Sequence, residues 1–276
     1  MVLLVGLIVL LAFTLFSLKK VTIDFRTSTT NITATNEEII QVAEFDMGSS
    51  VLIHGKKDYK KKIENFDPYI KVINIETVFP STFVVHLSER QEVYAVPFKY
   101  GHYICDEELR VLRISYTFSN SQENAILLTQ EGIEVKNNIK EGEYIKNIKL
   151  SSVYSTLYGL NRPLGEQKAL IESITISTEY DKIIKRNQKI TTIKYYSGQT
   201  FKIINDSYGL KYKLKLMNDV YAQLYTYIGK TIKDGEQQIV LTQENLKDCT
   251  IIINNYYDYT SYTERDCYFD IKVKNI

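Results

Sequence analysis

Ile73-Asn74-Ile75-Glu76-Thr77-Val78-Phe79-Pro80-Ser81-Thr82-Phe83-Val84-Val85-His86-Leu87-Ser88 is the stretch that decides the fold. Ile73, Ile75, Thr77 and Phe79 alternate with Asn74, Glu76 and Val78. Phe83, Val85 and Leu87 alternate with Val84, His86 and Ser88. Alternation of period two places one set of side chains on one face of a pleated strand. Pro80-Ser81 supplies the turn, so the stretch predicts a β-hairpin with one buried face. His86 falls on the opposite face and is expected to be solvated. Val93 to Phe98 reads as a further strand.

Upstream of the hairpin the period changes. In Lys56 to Asn65 and just beyond, Tyr59, Ile63 and Phe66 recur at i, i+4 and i+7, one apolar stripe on a short helix. Pro68 closes it, and the residue before a proline, Asp67, is biased away from helical backbone. Glu37 to Ala43 predicts another helix, capped by Thr35 or Asn36, with Glu37-Glu38 in its first turn and Ile39, Ile40 and Ala43 inward. Met47-Gly48-Ser49-Ser50 breaks that helix. Val21-Thr22-Ile23-Asp24-Phe25 alternates as a strand. The order is β-α-α-β-β. Helices this short are not stable alone, so both must cover one face of the sheet.

Before the first strand, Val2 to Leu18 is almost entirely apolar and Lys19-Lys20 closes it. At roughly 1.5 Å per residue the run covers about 26 Å, close to the roughly 30 Å apolar slab of a bilayer. It lacks the basic front of a signal peptide, so a transmembrane anchor is expected, with a cleaved signal peptide and a buried core helix as the alternatives. Two lysines alone would hold the near side in the cytoplasm by the positive-inside rule.

Downstream of Arg110 short alternating runs dominate: Val111–Phe118, Ala125–Leu128, Ser173–Ser177, Thr191–Tyr196 and Gln199–Ile204. Ser197-Gly198 lies between two of them and predicts a hairpin turn. Lys211 to Tyr227 is different, with Tyr212, Leu216, Val220 and Leu224 spaced by four, an amphipathic helix on a sheet. Thr250-Ile251-Ile252-Ile253 is a late strand, followed by a Tyr-rich stretch from Tyr256 to Tyr262. The expected fold class is α+β: an N-terminal transmembrane helix over 1–20, a β-α-α-β-β domain over 21–98, a mostly antiparallel β-domain with one amphipathic helix over 99–255, and a Tyr-rich tail or extra strand over 256–276.

Chemistry is sparse. The chain of 276 residues carries 34 basic and 33 acidic residues, a net charge of +1 that gives no footprint for nucleic acid. The basic run Lys56-Lys57-Asp58-Tyr59-Lys60-Lys61-Lys62 reads as a solvated helix face, with anionic lipid or wall polymer as the alternative contact. There is no Gly-rich phosphate loop and no GxSxG or HExxH motif. His54, His86 and His102 are too scattered for a zinc pattern. Glu141 and Glu143 flank Gly142 and read as turn residues rather than an acid–base pair. Cys105, Cys249 and Cys267 are buried thiols, or Cys249 and Cys267 pair in an oxidising compartment. No catalytic residue, cofactor or metal is expected, which leaves binding and scaffolding, with sheet edges and aromatic surface as the means.

Val21 to Asp106 resembles the POTRA domain of the FtsQ/DivIB family of bacterial cell-division proteins. The family places a β-α-α-β-β module directly after one membrane helix. The resemblance is carried by Phe66-Asp67-Pro68-Tyr69-Ile70-Lys71-Val72, by Phe79-Pro80-Ser81-Thr82 running through the alternating strand into Ser88-Glu89-Arg90, and by Val93-Tyr94-Ala95 with Tyr103-Ile104-Cys105-Asp106. Tyr195-Tyr196-Ser197-Gly198-Gln199-Thr200, then Lys211-Tyr212-Lys213-Leu214-Lys215-Leu216, is loosely similar to the family's β-domain. Glu92 stands where the family usually has Pro. The resemblance implies a single-pass cell-membrane protein with its C-terminal domains outside the cell, enriched at the septum, and non-catalytic. Its implied partners are coiled-coil division proteins (FtsL-like and DivIC/FtsB-like) and the septal peptidoglycan synthase. Partner binding by strand addition is expected at Thr250, Ile251, Ile252, Ile253 and Asn254, the reading of that strand as an interior one being equally open. The other readings are a POTRA component of protein export or assembly, and a surface receptor or adhesin.

Overall fold

Lys20–Phe25 (β1) lies parallel to Thr82–Glu89 (β3), and Ile70–Val78 (β2) lies antiparallel on the other side of β3. Two helices, Asn36–Ala43 (α1) and Lys56–Phe66 (α2), stand between β1 and β2, so the order is β-α-α-β-β. The computed structural model describes residues 14–27, 29–52, 55–118, 125–148, 170–182, 185–204, 209–234, 237–258 and 263–273. The chain divides into two units, the first made of Met1–Glu92 with Arg110–Arg113 and Ile139–Tyr144.

Local chemistry explains the first unit's elements. Thr35 caps α1 in a capping box with Glu38, and Glu44 ends it in the left-handed region at φ 51°. α2 ends where Asp67 turns extended before Pro68. Ile39 and Ala43 of α1, and Tyr59 and Ile63 of α2, pack with Ile70, Val72, Ile75, Phe83, Val85 and Leu87 into one core. Ile40 is partly buried against it, whereas Phe66 lies exposed, outside the expected stripe.

The hairpin forms with its turn at Pro80-Ser81, but one register expectation fails. Val72 pairs with Leu87 and Asn74 with His86, so Ile73 is the extra residue of a bulge. A bulge moves the following residues to the opposite face. Ile70, Val72 and Ile75 therefore point inward, and Ile73 is exposed.

Among the described residues no helix is long and apolar enough to cross a membrane, and most of the Val2 to Leu18 run lies outside them. The end of that run belongs to the folded domain. Ser17 bridges to Ser50, and Leu18 is 2% exposed in the core.

The second unit comprises Val93–Leu109, Ile114–Asn138 and Ile145–Ile276. Its strands are Tyr94–Phe98 (β4), Gly101–Cys105 (β5), the Ile114-Ser115 end of Val111–Ser115 (β6), Ile126–Gln130 (β7), Ile171–Asp181 (β8), Arg186–Tyr195 (β9), Thr200–Ile204 (β10), Thr250–Asp258 (β13) and Thr263–Lys272 (β14). They form one sheet in the order β14-β13-β10-β9-β8-β7-β4-β5-β6. Thr231–Asp234 (β11) and Gln237–Val240 (β12) form a separate hairpin. β4 pairs with β5 and β7, so it belongs to this sheet and not to the β-α-α-β-β module.

The large sheet is mostly antiparallel, as expected, through β4/β5, β8/β9, β9/β10 and β13/β14, but β4/β7, β7/β8 and β10/β13 run parallel. Alternation along a strand is the same in either direction, so it does not report this. A parallel pair needs a crossover, and between β10 and β13 the chain supplies helices Leu210–Gln223 (α3) and Gln243–Lys247 (α4). Ser197-Gly198 does turn β9 into β10, with Gly198 at φ 102°.

α3 forms where expected but buries a different stripe. Leu210, Lys213, Leu214, Met217, Val220 and Leu224 are buried, and Tyr212 is 70% exposed. A spacing of four overshoots the helical repeat by about 40° per step, so Tyr212 and Leu224 sit about 120° apart. Lys213 is held at the buried face because its Nζ donates to the Ile204 carbonyl at 2.7 Å.

Candidate functional site

Thr250 to Asn254 is not an edge. Thr200, Phe201, Lys202 and Ile203 of β10 pair with Thr250 to Ile253 on one side, and Lys272 to Tyr268 of β14 pair with Thr250 to Asn254 on the other. The backbone groups a partner strand would need are used on both sides from Thr250 to Ile253, and on the β14 side at Asn254. The crossover through α3 and α4 sets β13 beside β10, and the segment beyond the Tyr-rich stretch folds back as β14. Among the described residues β14 has a strand neighbour on one side only, which makes Thr263–Lys272 one end of the sheet. Strand ends of this kind are where a second chain adds. Phe269 in β14 meets Tyr227, ring centroids 5.8 Å apart, which ties the strand to the 3-10 turn Leu224–Tyr227 that follows α3.

Glu89 and Arg90 do not pair with each other. The Glu89 carboxylate accepts from the backbone N–H groups of Thr30 and Asn31 and from the Asn31 side chain, so it holds the loop between β1 and α1. Arg90 reaches the other way. Its Nε donates to the Ile70 carbonyl at 3.3 Å and its Nη2 to Glu64 Oε1 at 3.4 Å. Both residues are buried, in place of the modest exposed pair that their adjacency suggests.

His86 is also not solvated: it is 8% exposed. Its Nδ1 lies 2.7 Å from Asp24 Oδ2 and its Nε2 lies 3.0 Å from Glu76 Oε2, with the Arg26 guanidinium against the same ring. Asp24 is on β1 and Glu76 on β2, so the imidazole ties both outer strands across β3. Alternation placed His86 on the outer face correctly; what it did not register is that two carboxylates and an arginine cover that face.

A cleft of about 480 Å³ lies within the first unit, lined among others by Glu38, Phe66, Tyr69, Leu112, Arg113 and Glu141. Glu92 organises one wall. The Tyr69 hydroxyl donates to Glu92 Oε1 at 2.7 Å, and Arg113 Nε donates to the same oxygen at 2.6 Å. Burial, and then the Glu92 carboxylate, push the Tyr69 phenol well above its ordinary range. Burial likewise raises the Asp67 carboxyl. The one visible sign of this wall in the sequence is Glu92 itself, at a position where the resembling family usually has Pro.

Nucleophile and metal chemistry find little here. Among the described residues no group of three or more His, Cys, Asp or Glu is placed to hold a metal ion. Cys105 and Cys249 are free and buried, and the Cys267 side chain lies outside the described residues. Burial pushes the Cys249 thiol up to about 11 and the Cys105 thiol higher than its ordinary value as well, which suppresses the thiolate at neutral pH. Glu143 accepts from the Lys140 N–H in the turn at Gly142. His102 stacks on Phe118, centroids 4.6 Å apart, and His54 lies outside the described residues.

Residues 16–90 match the family model described as the POTRA domain of FtsQ type. The match runs from Phe16, inside the apolar run, through β1, both helices and the hairpin to the Glu89-Arg90 anchors. Residues 16–90 are therefore similar to the FtsQ-type POTRA domain. No curated protein matches the chain.

Proposed function

We propose that this chain, built on an FtsQ-type POTRA domain, is a non-catalytic scaffold of the bacterial divisome. It is held in the cell membrane by the apolar run before Ser17 and displays its two folded units outside the cell at the division septum. There it gathers FtsL-like and DivIC/FtsB-like coiled-coil proteins and helps regulate the septal peptidoglycan synthase. The observation that carries this reading is the match of residues 16–90, placed directly on the end of an apolar run. The physical route is strand addition at β14, the end of the large sheet, because an unpaired strand edge offers N–H and C=O groups to an incoming strand.

The test is a full-length fluorescent fusion in the native cell, combined with crosslinking. A photo-crosslinking residue at Lys272, exposed on β14, captures a coiled-coil division protein, and the same residue at Ile252 on β13 captures it weakly. Diffuse membrane signal with no division protein recovered sinks the scaffold reading. Division proteins recovered only through positions far from β14 keep the scaffold and remove the strand-addition route.

A further inference from the structure

The first unit has four large apolar side chains exposed around the point where the apolar run meets the fold: Leu15, Met47, Leu52 and Phe79, with Leu52 and Phe79 each 60% exposed. Backbone contacts hold them together. The Val51 N–H donates to the Phe16 carbonyl at 2.8 Å, the Gly48 N–H to the Leu18 carbonyl at 2.9 Å, and the Lys19 N–H to the Ser81 carbonyl at 2.9 Å. The Phe16 and Phe79 rings meet edge to face, centroids 5.9 Å apart. Three segments far apart in sequence thus build one apolar rim.

Lysines surround it. Lys19 and Lys20 are exposed on the same strand approach. Lys56 and Lys57 begin α2 just after Leu52, and Lys56 Nζ sits 5.3 Å from the Phe83 ring centroid. Glu44, Asp46 and Asp58 are the acidic residues on the neighbouring segments, and Glu44 is paired with Lys62, so lysine predominates there.

No spacer separates this rim from the apolar run. Thr14 and Leu15 are helical, and by Ser17 the chain is already bridged into the domain. One helical turn is about 5.4 Å. A bilayer that receives the run must therefore end within about a turn of Leu15, at the level of the rim.

We propose that the rim formed by Leu15, Met47, Leu52 and Phe79 is a membrane-contact surface that inserts at the headgroup boundary of an anionic lipid bilayer. The inference rests on the membrane-anchored reading above and adds to it that the POTRA domain lies against the lipid instead of swinging free on a tether. Large apolar side chains with a basic surround are the chemistry of interfacial binding, where apolar groups reach roughly 5–10 Å into the headgroup and acyl boundary while lysines meet anionic headgroups. Lipid is favoured over a protein partner as the occupant because the rim is continuous with the apolar run.

The chain contains no tryptophan, so single tryptophans report without background. Phe79→Trp and Leu52→Trp are placed separately in the full-length chain and reconstituted in vesicles of phosphatidylcholine with phosphatidylglycerol. Leu10→Trp in the apolar run and Tyr180→Trp, exposed on the second unit, are the references. Quenching by lipids brominated high on the acyl chain, with a blue-shifted emission, is expected at Phe79→Trp, Leu52→Trp and Leu10→Trp and not at Tyr180→Trp. Lys19→Gln with Lys20→Gln reduces the rim quenching and leaves the Leu10→Trp signal unchanged. Quenching at Leu10→Trp with water-like emission from both rim positions overturns the rim proposal and keeps the anchor. Loss of quenching at Leu10→Trp, with the chain released from the vesicles, overturns both. Phe79 and Leu52 are exposed, so these replacements leave the core intact, and unchanged exchange protection of α2 and β3 verifies it.

Discussion

Replacing Arg90 by methionine tests the claim that the Glu89-Arg90 motif is an internal brace. The guanidinium is buried, and its Nη2 lies 3.4 Å from Glu64 Oε1, itself on a buried residue. Removing one member of a buried pair leaves an uncompensated charge and costs about 3–5 kcal/mol. Glu64 keeps the Val72 N–H at 3.0 Å, and Lys60 stands 3.8 Å away. Those two contacts place Arg90→Met at the low end, near ~3 kcal/mol by the same rule. Glu64→Gln keeps the shape and the Val72 contact and loses charge assistance, a cost of about 1–2 kcal/mol. The double variant buries no charge, so it should be more stable than the sum of the singles by about 1–2 kcal/mol. Hydrogen exchange across a urea series on the full-length protein in detergent, read on α2 and β2 peptides, measures all three variants. Peptides from β8 give the internal reference. Additivity within about 0.5 kcal/mol would refute the argument, because it would mean Arg90 and Glu64 act independently.

Gly198→Ala should destabilise the second unit by about 2 kcal/mol or more, since the residue sits at φ 102° and an added Cβ would come within 2.3 Å of the Lys247 carbonyl; an unshifted thermal transition would contradict that close approach. Glu38 accepts from the Thr35 N–H at 2.8 Å and from its hydroxyl at 3.0 Å, and these bonds hold its carboxyl below 4.5. The capping contribution is then present at neutral pH and lost as pH falls through the lowered value, so carboxyl NMR should show Glu38 titrating below the ordinary glutamate range in the wild type and less far below it in Thr35→Ala, which keeps the backbone N–H and loses the hydroxyl. Cys105 and Cys249 should resist iodoacetamide at about pH 8 in the native protein and react in urea, and rapid native labelling of Cys249 would mean that its strand opens readily.

Much of the first unit was legible because local rules agree there. The cap at Thr35, one of two candidates, the Asp67-Pro68 stop and the Pro80-Ser81 turn each rest on a few adjacent residues, and each appears where expected. Failures have a common form: they depend on residues brought together from a distance. The bulge at Ile73 is invisible to alternation, which assumes unbroken pairing, and it decides that Val72 rather than Ile73 faces the core. His86 was placed on the correct face, yet its burial depends on Asp24 and Glu76, 62 and 10 residues away in sequence. The alternating runs of the second unit revealed strands but not their directions or neighbours. That is why the edge and interior readings of Thr250 to Asn254 stayed level in the sequence, and strand order decides for the interior one.

The same reasoning accounts for where recognition stops. Glu89 and Arg90 are a sequence signature because side-chain identity matters at both positions: one carboxylate must reach two backbone N–H groups, and one guanidinium must reach Ile70 and Glu64. Residues that build a domain leave a pattern, and the match to residues 16–90 is a match to that pattern. Strand addition asks for something else, since its main-chain hydrogen bonds come from N–H and C=O groups that nearly every residue carries. A strand that docks by its main chain can therefore change its side chains widely and keep its use, and leave little trace in composition or motif. Of the two readings open at Thr250 to Asn254, the interior one fits its residues, because an apolar β-branched run is the mark of a buried strand and not of an edge. In such a chain the sequence declares most clearly the part that folds, and an open strand edge is found from strand order.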